Sequence, residues 1–139
     1  MIAFRFLRNL YQLLLRQNGQ LPLSDFIKVV FNAYAQEPNK WRQRSGSLLE
    51  GRFTYVHVDS DLYVLQLCRY IHLNPVEAGF VTAPVRWLYS IYQEWIGMRS
   101  TWMYDPEFVK RYFPWPRAYQ AFVIGRFVPS QNLLNHDQF

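Results

Sequence analysis

Cys68-Arg69-Tyr70-Ile71-His72-Leu73-Asn74-Pro75-Val76-Glu77-Ala78-Gly79-Phe80 is the stretch on which the reading of this chain turns. Upstream of it Asp59-Ser60 offers N-cap oxygens, and Val64, Leu67, Cys68 and Ile71 recur at the spacing of one buried helix face. Pro75 cannot donate a backbone hydrogen bond and disfavours the α conformation in the residue before it, so this helix is expected to stop near Asn74. Gln66, Tyr70 and Asn74 are spaced by four and lie together, roughly a third of a turn from the buried stripe. A tyrosine so placed can present its hydroxyl. With an ordinary pKa near ~10, that hydroxyl would need a metal or a base beside it to attack phosphorus. On spacing alone, the plainer reading is an amphipathic tyrosine packing with its hydroxyl at the surface.

Working outward, Phe53 to Val58 has the β-branched and aromatic content of a strand. Ile2 to Leu7 and Leu10 to Leu15 are two apolar runs separated by Arg8-Asn9, the pattern of an antiparallel hairpin with a tight turn. Pro22 with Ser24-Asp25 makes a helix start before Phe26, Val29, Val30, Ala33 and Tyr34, and Pro38 is expected to end that helix by Gln36. Asn39 to Gly51 is polar and basic, reads as an exposed loop, and is a candidate phosphate contact through Arg42 and Arg44. Beyond Pro84 the spacing of Trp87, Ile91, Tyr92 and Trp95 predicts a helix stopped by Gly97, followed by short helices around Pro106 to Phe113 and Pro116 to Val123. These elements make one α+β domain over residues 1–127, with a polar, frayed tail over 128–139.

Composition sets the outer bounds. The chain has 139 residues, half of them apolar, enough to close one hydrophobic core. The formal charge is +5 and 12 of the 15 basic residues are arginine, whose planar fork suits phosphate oxygens and stacks on bases. A solvated basic surface would give the same charge. Five Trp, ten Tyr and eleven Phe fit a packed core first and base-stacking platforms second. The single cysteine, Cys68, excludes an internal disulfide framework and a cysteine-based zinc site. No secretory signal and no apolar run of ~20 residues is visible, so a cytoplasmic protein of bacterial type that does not enter a membrane is expected.

The run Tyr70-Ile71-His72-Leu73-Asn74-Pro75 with Ala78-Gly79 closely resembles the catalytic-tyrosine helix of the REP-associated tyrosine transposases, single-strand DNA transposases of the HUH type. Supporting pieces stand on both sides in that family's order. Upstream, Leu13-Leu14-Leu15-Arg16-Gln17-Asn18-Gly19 runs into Leu21-Pro22-Leu23-Ser24, and Arg44-Ser45-Gly46 runs into Glu50-Gly51-Arg52-Phe53. Downstream come Trp87-Leu88-Tyr89-Ser90 with Tyr92, Glu94-Trp95-Ile96-Gly97, and Asp105 to Phe113. The resemblance covers the chain up to about Phe127.

The resemblance implies a ferredoxin-like antiparallel sheet with helices on one face, here with the opening strand and helix missing and extra C-terminal helices. It implies Mg or Mn held by two histidines that flank one apolar residue. The ion polarises a phosphate in single-stranded or hairpin DNA, and a tyrosine attacks it to leave a 5′-phosphotyrosine link. By position Tyr70 matches the nucleophile, and Asn74 is placed like the helix residue that completes the metal shell in related single-tyrosine transposases. The chain departs from the pattern where it matters most. Asn9-Leu10-Tyr11-Gln12 stands at the histidine motif, where Leu10 cannot ligate and Gln12 offers only a neutral carbonyl oxygen. His57, His72 and His136 suit surface or packing roles better than replacement of those ligands. The missing opening strand leaves an uncovered sheet edge through which the chain is expected to self-associate.

Three readings follow from this. One is an active transposase working through Tyr70. A second is a DNA-binding module without catalysis, with Arg42, Arg44, Arg52 and Arg69 on phosphates and aromatic residues on unpaired bases. The third is a decayed fragment whose sequence records ancestry more than activity.

Overall fold

The computed structural model describes residues 1–7, 10–42 and 54–125, with residues 35 and 37–42 described in backbone only. The architecture is mixed α+β, in the order β1 (Ala3–Phe6), β2 (Tyr11–Leu14), α1 (Leu23–Arg42), α2 (Asp61–Glu77), a 3₁₀ turn (Pro84–Arg86), α3 (Tyr92–Trp95), α4 (Pro106–Tyr112) and α5 (Pro116–Val123). The chain divides into two compact units. Met1–Arg16 with the chain from Val58 onward forms one, and Gln17–His57 forms the other.

In the first unit the two apolar runs pair as expected. β1 and β2 form an antiparallel ladder with Ala3 opposite Leu14, Phe4 opposite Leu13, Arg5 opposite Gln12 and Phe6 opposite Tyr11. The Leu7 amide donates to the Leu10 carbonyl at 2.7 Å and closes the turn. The other side of β1 is lined by the chain near Ser90: the Phe6 amide donates to the Tyr89 carbonyl at 2.8 Å, and Arg5 and Ser90 make an antiparallel bridge. One edge of the hairpin is therefore covered from within the chain, which narrows the expected open edge to the far side of β2.

Helix α2 packs against β1 and α5. The Ser60 hydroxyl accepts from the Tyr63 amide at 3.3 Å and Asp61 follows in the first turn, the arrangement that satisfies exposed N-terminal amides. Its buried face is Leu65, Cys68, Ile71, His72 and Pro75. The expected stop at Asn74 is corrected: the helix runs to Glu77 with Pro75 inside it. Proline removes one donor, the one that would serve the Ile71 carbonyl, and the turn beyond it is held by the Ala78 amide on the Asn74 carbonyl at 2.8 Å. Gly79, at φ 76°, then ends the helix in the left-handed region that favours glycine.

The single helix expected over Trp87 to Trp95 is also corrected. That stretch divides into the 3₁₀ turn, a turn at Leu88 and Tyr89 that leads to the Ser90 bridge with β1, and the one-turn helix α3. Trp87 Nε1 donates to the Phe6 carbonyl at 3.1 Å and Trp95 Nε1 to the Ile2 carbonyl at 3.0 Å, so two tryptophans that mimic a helical period both serve the strand. Gly97, at φ 75°, ends α3 as its position suggests. The Asp105 carboxylate caps α4 by accepting from the Phe108 amide at 3.1 Å, and Pro116 begins α5. The core is aromatic: Trp95, Phe108, Phe113, Tyr119 and Phe122 are buried together, with Trp95 and Tyr119 ring centres 4.4 Å apart. Arg99 ties the turn after α3 by donating to the buried Glu94 carboxylate, at 2.5 and 3.0 Å, and to the Leu88 and Ser90 carbonyls.

In the second unit α1 does not stop at Gln36. It continues through Pro38 to Arg42, because a helix whose surface is largely in water can leave the carbonyl that proline fails to serve to solvent. Its apolar stripe is exposed at Phe26, Val29, Val30 and Tyr34. The strand expected over Phe53 to Val58 is corrected as well: Phe53 lies outside the described residues, and Thr54 to Val58 carries no ladder. Tyr55 and Val56 are exposed there, so the β-branched run lacks the half-buried surface that makes a strand favourable. The residues from 126 onward, including the expected tail, lie outside the described residues.

Candidate functional site

Tyr70 projects from the side of α2 that is neither fully buried nor free in water, and its residue surface is 46 % exposed. That follows from its sequence position, since Cys68 and Ile71 on the buried stripe turn the intervening residues toward the flank. Gln66 is exposed and Asn74 half-buried on the same line.

Against the Tyr70 ring lies Arg5 of β1, with its guanidinium carbon 5.1 Å from the ring centre. Arg5 is only 1 % exposed, and its Nε and Nη1 have no hydrogen-bond partner among the described residues. Directly across the ladder stands Gln12, whose Oε1 is also buried without a partner. Opposed residues of an antiparallel pair project from the same face of the sheet, so these two polar side chains share a face with each other. Burial pushes the Arg5 guanidinium below the ordinary arginine value, while a hydrogen bond with the Tyr70 hydroxyl and then the Glu77 charge act in the opposite direction. A guanidinium remains charged under such conditions.

This arrangement decides how well the residues fit a divalent ion. Leu10 is half exposed and carries no donor atom, Gln12 carries one neutral carbonyl oxygen, and the positive charge of Arg5 lies against the Tyr70 ring. A cation would be repelled where the family's ion is expected, so these residues do not fit Mg or Mn. Among the described residues no group of three or more His, Cys, Asp or Glu side chains converges.

His72 takes the packing role. It is fully buried, its Nδ1 lies 2.5 Å from the Tyr119 hydroxyl, and Tyr92, Trp95 and Tyr119 meet its ring edge-on. Burial holds its pKa down to about 3, so it is neutral at pH 7. Its Nε2 has no partner among the described residues. The Cys68 thiol is buried and pushed well up by desolvation, which leaves it unreactive. His57 is exposed outside any helix or strand, and His136 lies outside the described residues.

Of the expected DNA contacts, Arg69 is half-buried and its Nε donates to the Phe122 and Val123 carbonyls at 3.2 and 2.9 Å. It thereby serves carbonyls at the C-terminal end of α5. Arg42 ends α1 and is described in backbone only, while Arg44 and Arg52 lie outside the described residues. The residue that the motif reading passed over is Arg5. Its signal was present as the one charged side chain within the apolar run Ile2 to Leu7.

No family model, curated protein or solved structure matches the chain. No helix among the described residues is long and apolar enough to cross a membrane.

Proposed function

We propose that this chain is a DNA-binding protein of REP-associated tyrosine transposase type whose metal-dependent cleavage is impaired. The observation that carries the reading is the pairing of a half-exposed tyrosine on the motif helix with a buried guanidinium against its ring. A phosphate held there would meet positive charge and an aromatic face, the two components of single-strand recognition. In this reading the basic segment containing Arg42, Arg44 and Arg52 supplies further phosphate contacts, and the substrate is single-stranded or hairpin DNA. Tyr70 then serves as a binding residue, because a phenol without a metal or base beside it is a poor nucleophile.

The test is incubation of the full chain with a labelled single-stranded hairpin and manganese. The expected result is a salt-sensitive mobility shift without a covalent band. A covalent protein–DNA band that disappears in Tyr70→Phe would restore the active transposase, and absence of any shift at low salt would leave a decayed fragment. Self-association through the open side of β2 belongs to the same reading, and light scattering should report a mass above that of the monomer.

A further inference from the structure

We infer that Arg5, with Gln12 across the ladder and Tyr70 above it, forms an oxyanion receptor in which a guanidinium takes the place of a metal ion. The receptor rests on the DNA-binding reading only for the identity of its ligand, and names the group that holds phosphate. An arginine that is 1 % exposed, with two nitrogens unpartnered among the described residues, is costly, because desolvation of the charge is only partly repaid by hydrogen bonds. The Tyr70 ring offsets part of that cost through its face. The Tyr70 hydroxyl meets the guanidinium as well, and Nε and Nη1 are still left without a partner among the described residues. A tetrahedral oxyanion approaching in the plane of the guanidinium brings the acceptors that Nε and Nη1 lack, with the geometry that arginine matches best.

Gln12 fits the same ligand. Its Oε1 is buried without a donor, and an amide turned over about its last bond presents Nε2 as a further donor. Tyr70, half exposed over Arg5, is the side chain that turns aside for a ligand to enter. Glu77 moderates the charge from its position near the end of α2 and disfavours ligands of high negative charge. The ligand class is thus a single phosphate or phosphodiester group. The simpler occupant, a water bridging Arg5 and Gln12, is one outcome of the test.

The experiment follows the Arg5 Nε–H resonance of the ¹⁵N-labelled full chain during titration with inorganic phosphate, and separately with a dithymidine phosphodiester, against chloride at equal ionic strength. A saturable shift with inorganic phosphate at about 1 mM is expected. So is a rise in Tm of about 4 °C at tenfold excess that is lost in Arg5→Met. A shift with both ligands places nucleic-acid phosphate in the receptor. A shift with phosphate alone keeps the receptor and removes it from DNA binding. No shift beyond chloride with either ligand overturns the inference and identifies a water-bridged pair, whatever the hairpin mobility assay reports. Because the resonance is read in the unsubstituted protein, the outcome does not depend on whether Arg5→Met folds.

Discussion

Helices α1 and α2 read alike in the sequence and differ in the fold. Each has apolar residues at helical spacing, a polar start and a proline near its C-terminal end. In α2 the stripe is covered: Leu65 and Cys68 are wholly buried, and Pro75 is itself part of the core. In α1 the stripe stays in water, with Val29 69 % exposed. Periodicity therefore reports which residues would share a face, but not whether the rest of the chain supplies a surface for that face. Both helices also pass through their prolines, α2 with the residue packed and α1 with much of its surface in water. A proline removes one hydrogen bond, and whether that ends a helix depends on what holds the turns on either side.

The largest test of this contrast uses pH. His72 on the buried face of α2 is held down to about 3, whereas an unfolded histidine titrates near ~6.5. The unfolded chain therefore binds a proton that the native chain refuses throughout that window. Stability present in full above pH ~6.5 is lost as the pH falls toward 3, at about 1.4 kcal/mol per pH unit and about 4–5 kcal/mol in all. Urea denaturation between pH 7 and 4 should show this slope, and His72→Phe should flatten it. A slope unchanged by the substitution would mean that the imidazole titrates freely and that the buried face is open.

A pair of truncations sharpens the comparison further. Leu65→Ala should cost about 3 kcal/mol, since it opens a cavity in a close-packed core. Val29→Ala should change stability by less than about 0.5 kcal/mol, since the side chain is already in water. Equal costs in urea denaturation would mean that α1 has a cover in solution. An effect between these two is expected at the start of α2. Ser60→Ala removes the hydroxyl that serves the Tyr63 amide and should cost about 1 kcal/mol, read as earlier thermal unfolding with unchanged helix content below the transition.

The parts of the fold legible in sequence were those fixed by local chemistry. Arg8-Asn9 between two apolar runs marked the hairpin, Asp105-Pro106 and Pro116 marked the starts of α4 and α5, and Gly97 marked the end of α3. The misread parts depend on distant partners. Trp87 and Trp95 sit at a helical interval, yet each donates its indole N–H to a carbonyl in or beside β1, more than eighty residues away in sequence. Thr54 to Val58 has strand composition but no neighbouring strand among the described residues. The same limit applied to the site. Tyr70 could be found because helical spacing placed it on a flank. The charge beside it could not, because burial of Arg5 is a property of the assembled sheet and helix. Gln12 was noticed only as a poor metal ligand, and its opposition to Arg5 became visible with the ladder register.

The hydrogen bonds that join β1 to Tyr89 and Ile91, and Trp95 to Ile2, have a consequence for synthesis on the ribosome. The first strand of the chain is completed by residues translated about eighty-five positions later. At ~5–20 residues per second it waits roughly 4–17 s before its second neighbour exists. During that interval an apolar strand carrying a positive charge is open along one side, and contacts between such distant residues are the slowest to close. Nascent chains of this protein should accordingly depend on a chaperone, or on slow dilution from the polysome, more than the packing of the finished aromatic core would suggest.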